Sequence, residues 1–121
     1  MCIRDRRGIA ELSRLIVALG GRAETASGLS GVGDLVLTCT GASSRNTSLG
    51  VALGEGRSLT DILAGRTTIA EGVETAPALA ARAASAGVAV PVIDTVAALL
   101  TGSIGLPEAR ERLLGRPLGM E

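Results

Sequence analysis

The sequence predicts an all-α fold, a compact bundle of six to eight short helices in one domain. Three observations carry that reading. Apolar residues return every three or four positions through most of the chain. Ser, Pro and Gly stand where such segments would open and close. At 121 residues, 46% hydrophobic and without a single aromatic, the chain is long enough for one core of Leu, Ile, Val and Ala.

In chain order, Ile9 to Leu19 sets Ile9, Leu12, Ile16 and Leu19 on one helical face, with Glu11 and Arg14 on others. Gly20-Gly21 supplies the left-handed residue that ends the helix. Residues 1–6 do not continue this pattern and read as a ragged or non-native start, outside the fold argument. Ala23 to Ala26 forms a short helical turn. Asp34 to Thr40 is ambiguous: its β-branched content suits a strand, whereas Val32, Leu35, Val36 and Cys39 suit one helical face. The helical surroundings favour helix, which places Asp34 and Thr38 one turn apart on a shared face.

Gly41-Ala-Ser-Ser then turns the chain, and Ser43 or Ser44 caps a helix that runs to Gly54. Ser58, three residues before Asp61, opens a short helix over Leu59 to Ala64. Thr67 to Ala70 reads as a brief β-like connector, and Val73 to Ala86 as an Ala-rich helix closed by Gly87. The residues before Pro91 are extended, as a following proline requires, and the next helix runs to Leu100. Gly102 breaks it. Leu106 to Leu114 forms the last helix, with Pro at its start, Glu108 in its first turn and Gly115 after its end.

Composition removes several chemistries. There is no His, and all 12 basic residues are Arg, so the chain holds no His base, no Schiff-base Lys and no His-bearing metal site. Net charge is zero and scattered, with no basic stripe for nucleic acid. The longest uncharged runs, such as residues 83–93, are too short to span a bilayer, and no secretory pattern opens the chain. Cys2 and Cys39 form no spacing motif; a reduced, cytoplasmic setting is expected, with Cys39 as a small buried residue.

What remains is concentrated in residues 28–46, Gly-Leu-Ser-Gly-Val-Gly-Asp-Leu-Val-Leu-Thr-Cys-Thr-Gly-Ala-Ser-Ser-Arg-Asn. Ser43 to Asn46 puts hydroxyls, a guanidinium and an amide at a helix N-terminus, where backbone N–H groups and the helix dipole favour an anion. The same residues also suit an ordinary cap with exposed polar neighbours. Asp34 suits either a turn or a carboxylate that orients a hydroxyl-bearing ligand. Glu71 suits either a surface acid at a helix start or a ligand contact. Spacing alone leaves these alternatives open.

The combination resembles a known family. Gly-Leu-Ser-Gly-Val-Gly-Asp-Leu-Val-Leu-Thr-Cys-Thr-Gly, then Ser-Arg-Asn, then Ala-Glu-Gly-Val-Glu-Thr-Ala, then Val-Pro-Val-Ile-Asp-Thr-Val is similar to the C-terminal domain of bacterial NAD(P)-dependent glycerol-3-phosphate dehydrogenase. The resemblance runs from about residue 7 to Leu114. It implies an α-helical substrate-binding domain over 7–121, with the N-terminal Rossmann domain absent from the chain. It also implies reduction of dihydroxyacetone phosphate to sn-glycerol 3-phosphate by NAD(P)H, reversibly, for glycerophospholipid synthesis.

Carried over residue by residue, the resemblance implies that Asp34, Thr38, Ser44, Arg45 and Asn46 hold substrate. It implies that Arg45, Ile69 and Glu71 approach the cofactor, which the missing domain holds for the most part. The family's acid/base is a Lys, and this chain has none; the Gly-rich dinucleotide fingerprint is also absent. These 121 residues are therefore expected to lack dehydrogenase activity alone and to leave an apolar patch near Asp34 and Glu71. The scattered charge points to no nucleic-acid partner, and the resemblance admits a homodimeric full-length enzyme. Two competitors remain: a stand-alone helical anion-binding or interaction module, and a 6-phosphogluconate-like dehydrogenase, which is not expected to carry both motifs.

Overall fold

The computed structural model describes residues 3–41, 44–68 and 70–115. Eight helices are found there: α1 (Ile3–Ala18), α2 (Ala23–Ser27), α3 (Leu29–Thr40), α4 (Arg45–Gly54), α5 (Leu59–Ala64), α6 (Gly72–Ser85), α7 (Pro91–Leu100) and α8 (Leu106–Leu114). The described residues contain no strand, in agreement with the all-α expectation. None of the helices is long and apolar enough to cross a membrane.

Local signals set most boundaries. Gly20, Gly87 and Gly102 take positive φ of 89°, 67° and 75° just beyond α1, α6 and α7, a conformation open to glycine at little cost. Ser58 caps α5 by accepting from the Asp61 N–H at 3.1 Å. Its hydroxyl donates to the Asp61 carboxylate at 2.6 Å, so the short Asp turns the box into a hydroxyl–carboxylate contact. The ambiguous Asp34–Thr40 segment is helical, and α3 begins earlier, at Leu29. Gly31 in the opening turns of α3 is a packing device: a Cβ there would run into the Ala26 carbonyl oxygen, so only glycine lets α3 cross the end of α2 this closely.

Four expectations are corrected. First, α1 starts at Ile3 instead of Ile9. Second, its buried face is Arg7, Glu11 and Leu15, at 7%, 2% and 3% exposure, and Leu19 is exposed. The reason is tertiary: α7 opens on Pro91, and the next two N–H groups, of Val92 and Ile93, need an acceptor. The Glu11 carboxylate takes both, at 2.7 and 3.1 Å. Arg7 donates to the Leu113 carbonyl of α8 at 3.1 Å. Third, residues 67 and 68 of the supposed β-like connector are bends, since an extended segment with no partner strand gains no ladder bonds. Fourth, Cys39 is half-buried, because α3 buries none of its residues fully.

Two hydrophobic clusters share the α6–α7 pair. One joins Leu15 of α1 to Ala83 and Val90, with Leu79, Val88 and Ile93 packed around them. The other joins Leu49 and Ala52 of α4 to Ile62 of α5 and Ala70, with Val73 and Leu100 against it. The antiparallel α6 and α7 thus tie α1 at one end to α4 and α5 at the other. The start of α6 and the start of α4 meet at the second end. α3 lies between α1 and α4, and its Leu35 approaches α1 at Gly8. It leaves Leu29 and Leu37 at 96% and 74% exposure, an apolar face beside Asp34.

Candidate functional site

The site begins with two helices and one cap. α3 is helical through Asp34 and Thr38, so both side chains project from one stripe. Asp34 is exposed in mid-helix and caps nothing, which removes the turn reading. Ser44 caps α4 and accepts from the Thr47 N–H at 3.3 Å. Ser43, the other candidate cap, lies outside the described residues. Accepting one bond leaves Ser44 its hydroxyl proton, so cap and ligand donor are compatible roles.

The hydroxyl of Thr47 donates to the Thr38 carbonyl at 2.7 Å. This bond fixes the first turn of α4 against the last turns of α3. Between them lies a cleft of about 430 Å³ lined by Asp34, Thr38, Ser44, Arg45, Asn46 and Glu71, with Leu37 at its apolar edge. All five residues expected to hold substrate, together with Glu71, therefore face one space. Ile69, expected on the cofactor side, lies outside the described residues.

Across the cleft, Arg45 Nη2 meets Glu71 Oε1 at 3.4 Å, with the two side chains 54% and 74% exposed. An ion pair this exposed contributes about 0–1 kcal/mol, so a bound anion can compete for the guanidinium. Asn46 joins α4 to α6: its Oδ1 accepts from the Gly72 N–H at 3.0 Å. A Cβ on Gly72 would sit 2.9 Å from that oxygen. Gly72 is thus the residue that lets the asparagine lie against the start of α6. Arg45 and Glu71 also line an adjoining cleft of about 560 Å³ with Thr67, Thr68, Glu74 and Thr75. They stand at the junction of the two spaces.

Sequence reasoning missed Thr47, Gly72 and Arg66. Gly72 lay within a quoted motif, but its role depends on where Asn46 arrives. Thr47 acts through one side-chain bond to another helix and Arg66 through two, and the sequence carries no local signal for any of them. No group of His, Cys, Asp and Glu able to hold a metal occurs among the described residues.

The sequence model of the family described as NAD-dependent glycerol-3-phosphate dehydrogenase C-terminus matches residues 4–111, and the chain belongs to that family. It is 59% identical over 111 residues to a protein of Gluconobacter oxydans named glycerol-3-phosphate dehydrogenase (NAD(P)+), covering 92% of this chain and 34% of that protein. A relative of the same name from Caulobacter vibrioides is 53% identical over 115 residues, covering 95% of this chain and 35% of the relative. The chain spans about a third of the length of the curated relatives it matches. No solved structure matches it.

Proposed function

We propose that this chain is the substrate-holding domain of an NAD(P)H-dependent oxidoreductase that interconverts dihydroxyacetone phosphate and sn-glycerol 3-phosphate, feeding glycerophospholipid synthesis. One observation carries the reading: Asp34 and Thr38 share a cleft with Ser44, Arg45 and Asn46 at the capped start of α4. The ligand has two ends of different chemistry, and so has the cleft.

The phosphate end is served by the Arg45 fork, the Ser44 hydroxyl and the positive end of α4, whose first N–H groups have no acceptor within the helix. The polyol end is served by the Asp34 carboxylate, which accepts from hydroxyls, with the Thr38 hydroxyl beside it. Asn46 has its carbonyl oxygen committed to Gly72, which leaves its amide N–H groups as donors on the cleft wall.

A dinucleotide fits these residues at one end only. Arg45 and Glu71 reach the adjoining cleft, whereas no Gly-rich strand-to-helix turn exists in the sequence to hold a pyrophosphate. When bound, the nicotinamide supplies the hydride; the residues here hold and orient the polyol phosphate, and the acid/base Lys that the family resemblance implies is not among these 121 residues. The apolar face of α3 beside the cleft is read as the surface that the remaining polypeptide covers.

Calorimetric titration of the chain with sn-glycerol 3-phosphate and with inorganic phosphate tests the proposal. Binding of the ester several-fold tighter than of phosphate is expected, with both weakened in Arg45→Met. Equal affinity for the two ligands, or binding untouched by Arg45→Met, would refute it.

A further inference from the structure

We infer that Arg66 is a positioning residue for the anion-binding turn of α4. The inference rests on the reading of Ser44–Asn46 as an anion site. Arg66 follows α5 and is half-buried. Its guanidinium reaches back to α4, with Nη1 donating to the Arg45 carbonyl at 3.0 Å and Nη2 to Ser48 Oγ at 2.9 Å. Ser48 Oγ donates in turn to the same carbonyl at 3.0 Å. A carbonyl in a first helical turn ordinarily accepts from the N–H four residues on. This one takes two further bonds, and it belongs to the residue whose side chain lines both clefts.

The planar fork suits that task, because its two donors leave one rigid group and fix the carbonyl and the hydroxyl relative to each other. Arg66 does not line the cleft shared by Asp34 and Arg45, so it acts on a ligand only through Arg45. Electrostatics agrees. The guanidinia of Arg45 and Arg66 both sit at the first turn of α4, which contains no acidic residue. The helix dipole disfavours cations at that end. Glu71, 3.4 Å from the Arg45 guanidinium, already offsets part of that charge, and an anion bound at the same turn would offset both guanidinia.

The test uses the 121-residue chain with Arg66→Met, Arg66→Lys and Ser48→Ala. Amide hydrogen exchange reads the turn without ligand, calorimetry reads sn-glycerol 3-phosphate affinity, and thermal melting reads global stability. In Arg66→Met, exchange at the Thr47 and Ser48 amides should accelerate about tenfold while Ile62 is unchanged, and affinity should fall about tenfold. Arg66→Lys, with one compact donor group, should fall between, and Ser48→Ala should reproduce the local change in weaker form even where Arg66→Met does not fold. Unchanged exchange at the turn in both Arg66→Met and Ser48→Ala overturns the inference. So does a lowered melting temperature with affinity intact. If the unsubstituted chain binds no sn-glycerol 3-phosphate, the site reading falls, and the exchange data alone decide whether Arg66 positions the turn.

Discussion

Arg45 faces two demands at once. It must meet an anion, and without one its guanidinium rests 3.4 Å from Glu71. Removing that carboxylate should free the fork: Glu71→Gln is expected to raise affinity for inorganic phosphate about two- to threefold at low salt, with the gain shrinking as salt is added. Phosphate titrations at two ionic strengths check both parts. Gly72 gives a cleaner separation of binding from folding. Its φ is not in the left-handed region, so alanine fits the backbone and should leave the melting temperature level or raise it slightly. The new Cβ, however, would displace Asn46 Oδ1. Gly72→Ala should therefore weaken sn-glycerol 3-phosphate binding about threefold to tenfold without destabilising the chain, as read by calorimetry beside melting. Of these residues, Arg45, Asn46 and Glu71 were legible in the sequence through motifs. Gly72 was visible only as a letter in one, because its close approach to Asn46 exists only after α4 and α6 have met.

At the scale of elements, α1 shows the limit of periodicity. Ile9, Leu12 and Ile16 mark a genuine helix, and each is only half-buried. The deeply buried stripe is Arg7, Glu11 and Leu15, at intervals of four like any helical face but polar in two of its three members. No pattern search based on apolar residues finds such a stripe. Glu11 lies 81 and 82 residues before its partners Val92 and Ile93, so the need it meets is invisible locally. Glu11→Ala removes the acceptor from two N–H groups at the buried start of α7 and should cost about 2–4 kcal/mol, read by urea denaturation. Caps and glycine stops, by contrast, depend on residues within one turn of each other. That is why Ser44, Ser58, Gly20 and Gly87 were legible and the connector at 67–70 was not: its fate depends on whether a partner strand exists elsewhere.

For the whole molecule, the α6–α7 pair ties two small aliphatic clusters together and leaves the site at one end, beside the uncovered face of α3. Without Lys in its 121 residues, the chain is expected to show no oxidation of NADH in the presence of dihydroxyacetone phosphate, as followed by absorbance. The fold class was legible because helical periodicity and caps repeat along the whole chain. The site was legible only as parts, since nothing local says that α3 and the start of α4 face each other; that rests on the bond from Thr47 to the Thr38 carbonyl. Whether those parts act as one site is best decided by amide NMR titration of the chain with sn-glycerol 3-phosphate and, separately, inorganic phosphate. Phosphate should shift resonances at Ser44 to Thr47 alone, and the ester should shift these together with Asp34 to Thr38. Shifts confined to one helix with both ligands, or shifts away from this cleft, would contradict the account.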